Sequence, residues 1–345
     1  MIIWSLLLFA ASGLANIVLL GQNGPPRLKY SVVQGYFKQS NLATNDRKYD
    51  ALRDSFGLAD PSPHRWYRFR QNIHALNVNA PEGVRYVVLY LARHGQGYHN
   101  VAEKFFGQEA WECYWAMQGT NGTSTWGPDA KLSPQGHSEV ARTSKAWISE
   151  VPYGVPLPES HHVSPLSRSL STLVETWKPV ALNPPRPVCH ELLRETLSLH
   201  YGDKRSKASY LREAYPQVEF PIEEDDPLWN FHRESETGRN NRIKYVLDEI
   251  LNNDLNTYIA MTSHSGVINS TLVALGHRPY AVQTAGVLPV VVKVERDPEW
   301  RGEVLWRKKE PWEVPRVEER SVCPGYEPVQ VSGRYVNGMG VWPYS

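Results

Sequence analysis

The stretch VRYVVLYLARHGQGYHNVAE, residues 84–103, decides the fold. It opens with an apolar run rich in β-branched and aromatic side chains, which is typical of a strand buried on both faces of a parallel sheet. The polar tripeptide RHG follows at 93–95, and a helix is predicted from about Tyr98. This segment therefore predicts a β-α unit with polar side chains at the end of its strand.

The same alternation of short apolar strands and helices recurs along the chain. Further strands are predicted over residues 28–34, 161–164, 187–190, 258–262 and 287–294, and further helices over residues 66–76, 166–177, 241–251 and 266–275. Such alternation predicts an α/β fold with three layers, α/β/α, around a largely parallel sheet. Two long loop insertions, at 107–129 and 201–239, interrupt the pattern, and long insertions in compact domains are often functional.

Polar side chains follow four of the predicted strands. In strand order along the chain they are Arg93 and His94, Arg168, Glu195, and His264. Ligands of an open parallel sheet bind where the strands end, beside the N-termini of the following helices. We therefore expect these side chains to meet at one edge of the sheet.

This combination of residue types indicates phosphoryl chemistry. Two arginines beside two histidines form a pocket for a dianion such as a phosphoryl group. A neutral imidazole between arginines is a plausible nucleophile toward phosphorus, because nearby cations disfavour its protonation. A carboxylic acid near a dianion keeps its proton more easily and can donate it to a leaving oxygen.

Four segments together resemble a known family. They are LYLARHGQGYHNVAE at 89–103, SPLSRS at 164–169, ELLRE at 191–195 and TSHSG at 262–266. They resemble the histidine phosphatase, or phosphoglycerate mutase-like, superfamily, and the chain is most similar to a fungal branch of it. The resemblance runs from about Leu28 to Glu295 and implies a phosphoglycerate mutase-like fold.

The resemblance also implies residue roles. His94 matches the histidine that becomes phosphorylated, and Glu195 matches the proton donor. The phosphate pocket is matched by Arg93, Arg168 and His264, and a substrate-side asparagine by Asn100. Neither a metal nor an organic cofactor is implied. Glycolytic mutases carry Glu-Ser after Arg-His-Gly, whereas this chain has Gln96-Gly97. The resemblance therefore does not identify the substrate of this chain.

The function expected from these residues is a phosphomonoesterase that acts through a phosphohistidine on a small phosphorylated metabolite, in secondary metabolism or phosphate scavenging. One alternative is a phosphomutase, which returns the phosphoryl group to a retained substrate and needs a site that excludes water. Another is a non-catalytic binding protein that keeps the fold. The formal net charge of +1 provides no global field for nucleic acid or an anionic membrane.

Several assignments stay open at this point. Glu191 is a second candidate for the proton donor, and Glu195 could instead pair with Arg194. His99 either lines the pocket or caps a helix. A structural role is expected for seven other histidines: His137, His161, His162, His190, His200, His232 and His277. The aromatic residues of the first insertion, Trp111, Tyr114, Trp115 and Trp126, suit core packing better than a substrate platform, and Asp225 and Asp226 suit a solvated loop.

The chain ends carry further expectations. Residues 1–20 are apolar and predict a signal peptide, cleaved after Ala15, or a membrane anchor, with a buried N-terminal extension as the third alternative. A catalytic domain over 28–310 precedes a Pro-rich tail over 311–345. The expected location is the secretory pathway or the extracellular space, with a cytoplasmic or membrane-anchored protein as the alternative.

The cysteines and the glycosylation sequons also bear on the cellular location of the protein. Three cysteines allow at most one disulfide and leave one thiol. Asn121 begins a glycosylation sequon that is usable if the chain is secreted. A second sequon begins at Asn269, inside a predicted helix, where burial is expected.

Overall fold

A computed structural model describes residues 25–180, 186–299, 323, 330–331 and 334–335 of the chain. The apolar segment 1–20, with its predicted cleavage site at Ala15, lies outside the described residues. So does almost all of the predicted tail at 311–345. Within the described part, no helix is both long and apolar enough to cross a membrane.

The sheet has six strands in the order β1-β6-β2-β5-β3-β4. Their bounds are β1 Leu28–Val32, β2 Val84–Arg93, β3 Ser160–Val163, β4 Val188–Cys189, β5 Tyr258–Ser263 and β6 Val287–Arg296. Strands β2, β5, β3 and β4 pair in parallel, which confirms the predicted largely parallel sheet. Two short strands, β7 Gln330–Val331 and β8 Arg334–Tyr335, pair antiparallel in a separate two-stranded sheet.

Helices cover both faces of the sheet and form the two outer layers. The helices are α1 Arg65–Val78, α2 Tyr98–Phe106, α3 Pro134–Glu150, α4 Ser167–Trp177, α5 Ala208–Ala214, α6 Glu236–Asn253 and α7 Ser265–Leu275. Side chains of α1, α3 and α4 pack with Val88 and Tyr90 on one face of β2. Side chains of α6 and α7 pack with Val87 and Leu89 on the other face. The predicted α/β/α architecture is therefore present, and β2 is buried on both faces as its sequence predicts.

Strand β6 runs antiparallel to both β2 and β1. Its apolar run does not reveal this direction, because a buried strand reads the same whichever way it runs. Pro289 lies opposite Tyr90 of β2, beyond the part of β6 that pairs with β1. A residue without an N–H is tolerated there, because no β1 residue is paired with it.

The first insertion, 107–129, folds into compact helical turns instead of an open loop. A π-helical segment, Trp111–Trp115, lies between the α-helical turns Gln108–Ala110 and Ala116–Gln118. Its aromatic side chains pack onto α2, and the rings of Phe106 and Trp115 stack with centroids 4.1 Å apart. The expected core-packing role is thus observed for this cluster.

A disulfide joins Cys113, in the π-helical segment, to Cys323 near the end of the chain. The third cysteine, Cys189 of β4, is free and buried. This pairing agrees with the expected single disulfide and single thiol. It attaches the C-terminal region covalently to the first insertion.

Candidate functional site

The carboxyl ends of β2, β3, β4 and β5 meet at one edge of the sheet, as predicted. β2 ends at Arg93, and the backbone N–H of His94 donates to Ser263 at the end of neighbouring β5. His264 follows β5 directly and is the N-cap residue of α7. The rings of His94 and His264 lie with centroids 5.0 Å apart. Two strand ends thus bring the two predicted histidines together.

His94 has a defined orientation. Its Nδ1 lies 2.6 Å from the carbonyl oxygen of Gly95, a hydrogen-bond acceptor, so Nδ1 carries the proton. The neutral ring then keeps its lone pair on Nε2. His94 is therefore held in the tautomer that a nucleophilic Nε2 requires.

The loop after β2 is packed tightly against α3 and α4. Gly95 N–H donates to Thr172 Oγ1 at 2.9 Å, and Thr172 Oγ1 donates to the carbonyl of Arg168 at 2.7 Å. A Cβ on Gly136, at the start of α3, would lie 2.1 Å from the carbonyl oxygen of Gln96. A glycine is required at position 136 because the two backbones approach so closely.

Arg168 lies at the start of α4 and is fully buried. The N-terminus of α4 is fixed by Asp129, whose carboxylate accepts from the backbone N–H and the hydroxyl of Ser167, each at 2.7 Å. The guanidinium is held in turn, because Nη1 donates to the Gly202 carbonyl at 3.0 Å and Nη2 to Asp203 Oδ1 at 2.7 Å. A surface role for Arg168 is excluded by this burial.

His264 is also fixed from behind. Its Nε2 lies 2.7 Å from Ser164 Oγ and 3.3 Å from Ser169 Oγ. When a serine hydroxyl donates to Nε2, the proton of His264 resides on Nδ1. His264 Nδ1 is buried and has no hydrogen-bond partner among the described residues.

Three more buried nitrogens without a partner among the described residues lie close to His94: Arg93 Nε, Arg168 Nε and His99 Nδ1. Others of this kind, such as Trp147 Nε1 and Arg194 Nε, lie elsewhere in the fold. Buried polar atoms almost always have partners, so a cluster of unpaired ones needs an explanation. These four nitrogens belong to residues that surround His94. An anion bound beside His94 would accept hydrogen bonds from such donors.

The electrostatics favour neutral imidazoles. Burial lowers the pKa of His94 well below its usual range, and the charges of Arg168 and Arg93 lower it further. Burial, followed by the charge of Arg168, likewise lowers the pKa of His99 and of His264. His94 is therefore uncharged at neutral pH while two arginines supply positive charge beside it.

Glu195 sits at the start of α7. Its Oε2 accepts from Gly266 N–H at 3.2 Å and its Oε1 from Thr196 N–H at 2.9 Å. A carboxylate at a helix N-terminus is stabilised by the unpaired N–H groups there. A Cβ on Gly266 would lie 2.2 Å from Glu195 Oε1, so the carboxylate occupies the space that a side chain would fill.

Glu191, the second candidate donor, faces elsewhere. Its Oε1 lies 3.1 Å from Arg194 Nη1 and its Oε2 lies 2.8 Å from Arg205 Nε. It is absent from the cavity wall, whereas Glu195 is part of it. Arg194 forms ion pairs with Glu191 and Asp226. It therefore does not form the ion pair with Glu195 that was the structural alternative for that residue.

A cavity of about 370 Å³ opens onto His94 and Glu195. His99 lines the cavity, one of the two roles expected for it. Several other lining residues were not assigned to the site from the sequence: Glu103, Glu112, His200, Thr196, Asp203, Arg233, Arg239 and Asn269. Most come from the two insertions or from α2. None of them directly follows a predicted strand, so the pattern of strand ends could not identify them. The cavity is strongly polar in character.

Asn100 has a local structural role as well as a place in the cavity wall. Its Oδ1 accepts from the N–H of Gly97 at 3.0 Å, which caps the N-terminus of α2. Its amide nitrogen is left for another partner. Trp111 of the aromatic insertion is buried in its cluster and also lines the cavity.

Three expectations are corrected by the structure. Asn269 was expected to be buried in its helix, but it is exposed on α7 and lines the cavity. Asp226 was expected in a solvated loop, but it is paired with Arg194 at 2.5 Å. His200 was assigned a structural role only, yet it lines the cavity and lies 3.1 Å from Glu112. The insertions pack onto the site more closely than their polar sequences indicate.

The described residues contain no group of three or more His, Cys, Asp or Glu side chains placed to hold a metal ion. Some of the histidines away from the cavity are instead hydrogen-bonded to neighbouring side chains. His162, for example, lies 2.8 Å from His190 and 2.8 Å from Asp254.

Comparison with known proteins agrees with this geometry. Residues 89–287 match the family described as histidine phosphatase superfamily, branch 1. A probable phosphoglycerate mutase of Arthroderma benhamiae is 38% identical over 288 residues, which cover 78% of this chain and 86% of that protein. Phosphomutase-like protein 3 of Candida albicans is 32% identical over 271 residues, which cover 77% of this chain and 81% of that protein.

Among solved structures, a phosphoglycerate mutase from Bacillus anthracis is 19% identical, with a TM-score of 0.40. The alignment covers 64% of this chain and 93% of that chain.

Proposed function

This chain belongs to the histidine phosphatase superfamily, branch 1, and from that premise we propose that it is a phosphomonoesterase working through a phosphohistidine at His94. Its substrate is a small phosphorylated metabolite. The superfamily includes both phosphatases and mutases, and both transfer a phosphoryl group. The proposal is supported above all by one observation, the set of unpaired buried nitrogens around His94.

In the proposed reaction, Nε2 of His94 attacks phosphorus and forms a P–N bond as the P–O ester bond breaks. Arg93, Arg168 and His264 stabilise the charge on the three equatorial oxygens. The leaving alkoxide takes a proton from Glu195. A water molecule then attacks the phosphohistidine, Glu195 accepts its proton, and inorganic phosphate forms while the lone pair returns to Nε2.

A phosphomutase is the second candidate, because two similar fungal proteins are described as a probable phosphoglycerate mutase and a phosphomutase-like protein. A mutase would pass the phosphoryl group of His94 to another hydroxyl of its substrate. It would therefore have to keep water away from the phosphoenzyme.

The decisive experiment follows the fate of the phosphoenzyme. Purified protein is mixed with p-nitrophenyl phosphate, and release of nitrophenol and of inorganic phosphate is recorded together. A phosphatase releases both in equal amounts over many turnovers. A single burst of nitrophenol without inorganic phosphate would instead identify a mutase, and no release at all would contradict an enzyme of either kind.

Replacing Arg168 by lysine tests the phosphate pocket. Lysine keeps the positive charge but loses the planar fork that reaches Gly202, Asp203 and a bound anion together. We expect Arg168→Lys to lower kcat/KM for p-nitrophenyl phosphate by about 10²-fold or more, since oriented donors of this kind are worth that much. Steady-state kinetics and a thermal melt measure the effect, and near-wild-type kinetics would contradict it.

We propose that the protein passes through the secretory pathway. The apolar segment 1–20 and the Cys113–Cys323 disulfide support this, since disulfides persist in oxidising compartments. Asn121 lies in a surface turn, partly exposed, eight residues after Cys113. Its Oδ1 accepts from the N–H groups of Thr123 and Ser124, so the amide nitrogen takes no part in these hydrogen bonds.

Expression in a secreting fungal host provides the test. We expect one N-linked glycan that is lost in Asn121→Gln. Asn269→Gln is the matched control, because a glycan at Asn269 would fill the cavity, and it should leave the glycan in place. Intact mass before and after enzymatic removal of N-glycans measures both variants, and an unmodified secreted protein would contradict glycosylation at Asn121.

A further inference from the structure

Asp203 places a carboxylate in the wall of the cavity, beside the buried guanidinium of Arg168. It ends the short 3₁₀ turn Tyr201–Asp203 of the second insertion. Its Oδ1 accepts from Arg168 Nη2 at 2.7 Å, and its side chain is 9% exposed while that of Arg168 is 0% exposed. The Gly202 carbonyl, one residue earlier, accepts from Nη1 of the same guanidinium. Two groups of one turn therefore fix the plane of Arg168.

Asp203 also binds a second cation. Its Oδ2 lies 3.3 Å from Arg233 Nη1, and its backbone carbonyl accepts from Arg194 Nη2 at 2.5 Å. Arg233 and Asp203 both line the cavity that contains His94. Burial opposes ionisation of Asp203, but the charges of Arg168 and Arg233 outweigh it and lower its pKa. The carboxylate is therefore ionised at neutral pH.

An ionised carboxylate in this place has two opposite effects on a bound phosphoryl group. It orients the guanidinium of Arg168, which favours a well-aligned phosphoryl group. It also offsets part of the positive charge of Arg168 and repels an anion in the same cavity. The second effect weakens the binding of substrate and of inorganic phosphate. It matters most for the product, which must leave after each turnover.

We propose that Asp203 is a positioning residue that aligns Arg168 for phosphoryl transfer and holds the affinity for inorganic phosphate down so that product is released. The inference rests on the proposed function of the site. It assigns a role in turnover to a residue of the second insertion, in the segment DKRS at 203–206, to which the family resemblance gives no role.

The test separates charge from geometry. Asp203→Asn keeps an oxygen that can accept from Arg168 but removes the negative charge. We expect this variant to bind inorganic phosphate about tenfold more tightly, the scale of one charge–charge interaction in a partly buried site. Its kcat for p-nitrophenyl phosphate should fall. Asp203→Glu keeps the charge but displaces Arg168, so it should bind phosphate no more tightly than the wild type and should also lose kcat.

Titration calorimetry with inorganic phosphate measures the affinity without turnover, and product inhibition gives a second estimate. A purely structural role for Asp203 predicts the opposite sign, because a loosened Arg168 binds phosphate more weakly. Unchanged or weaker phosphate binding in Asp203→Asn would overturn the proposal. If that variant does not fold, Asp203→Ser is neutral and smaller and carries the same expectation.

Asp226→Asn is the matched control. Asp226 is also buried, with a side chain 3% exposed, and pairs with an arginine of the same region, Arg194, at 2.5 Å. It does not line the cavity. This variant should lose thermal stability without binding phosphate more tightly. Tighter binding in Asp226→Asn as well would show a general effect of lost negative charge and would overturn the proposal.

The two proposals fail separately. If the wild type does not hydrolyse p-nitrophenyl phosphate but Asp203→Asn binds inorganic phosphate more tightly, the role of Asp203 in tuning the anion site stands and the proposed catalytic function is wrong. If hydrolysis is normal and phosphate affinity does not respond to Asp203, the function stands and the role of Asp203 is wrong.

Discussion

His94→Ala is expected to abolish phosphoryl transfer, with a loss of kcat of at least about 10⁴-fold, the scale seen when an enzyme loses its nucleophile. The variant cannot form the P–N bond that the proposed reaction requires. The unpaired nitrogens of Arg93, Arg168 and His264 remain in place. Because the anion pocket is retained, we expect His94→Ala to keep its affinity for inorganic phosphate while it loses turnover.

Trapping the intermediate tests the same assignment directly. Wild-type protein is quenched at neutral or alkaline pH during turnover, because phosphohistidine is labile in acid, and its peptides are analysed by mass spectrometry. Phosphate is expected on His94. His264→Ala is the matched control, since its ring lies 5.0 Å from that of His94 and is equally buried. Phosphate on His264 in the wild type would reverse the two roles.

The lowered pKa of His94 adds a pH dependence to this prediction. Only the neutral imidazole attacks phosphorus, and protonation removes its lone pair. A free histidine would lose half of its reactivity near pH 6.5. Burial and Arg168 lower the pKa of His94, so its acid limb lies below pH 6.5. The rate of phosphoenzyme formation, measured by rapid quench, should therefore show no loss centred on pH 6.5.

Glu195→Gln is expected to depend on the leaving group. An alkyl phosphate expels a strongly basic alkoxide and needs a proton, whereas p-nitrophenyl phosphate expels a stable phenolate. General acid catalysis is typically worth about 10²–10⁴-fold. We expect a loss of that order in kcat/KM for an alkyl phosphate and little loss for p-nitrophenyl phosphate. Glutamine still offers an acceptor to Gly266, so the local fold should be kept.

Two further variants make this result specific. Gly266→Ala should reproduce the same leaving-group dependence, because its Cβ would lie 2.2 Å from Glu195 Oε1 and must displace the carboxylate. Glu191→Gln should affect both esters equally and slightly, since Glu191 pairs with Arg194 and Arg205 away from the cavity. If Glu195→Gln slows the two esters equally, Glu195 positions the pocket instead of donating a proton.

The centre of the fold and the centre of the site could both be predicted from the sequence. Strands such as β2 are nearly continuous apolar runs because both faces are buried, and that signal survives without tertiary information. His94 and His264 were found because each directly follows such a strand, at a place that topology alone fixes. The tautomer of His94 and the unpaired buried nitrogens around it could be seen only in the structure.

The walls of the cavity could not be predicted in this way. Arg233 and Asp203 lie in an irregular insertion, and their ion pair joins residues 30 positions apart through the fold. Asp226 sits in an acidic run that reads as solvated, but a buried Arg194 pairs with it. Such ion pairs form only when a loop folds back on the rest of the chain. The local sequence has no periodicity or residue spacing from which that folding could be predicted. The partner of Cys113, 210 residues away, was open for the same reason.

The free thiol of Cys189 gives the molecule an internal reporter. With Cys113 and Cys323 joined, it is the remaining thiol of the three cysteines in the chain. Burial raises its pKa, so an alkylating reagent cannot reach a thiolate while β4 is in place. β4 is a two-residue edge strand just before the loop that carries Glu195. The rate of alkylation therefore measures how often this edge of the sheet opens, separately from global unfolding.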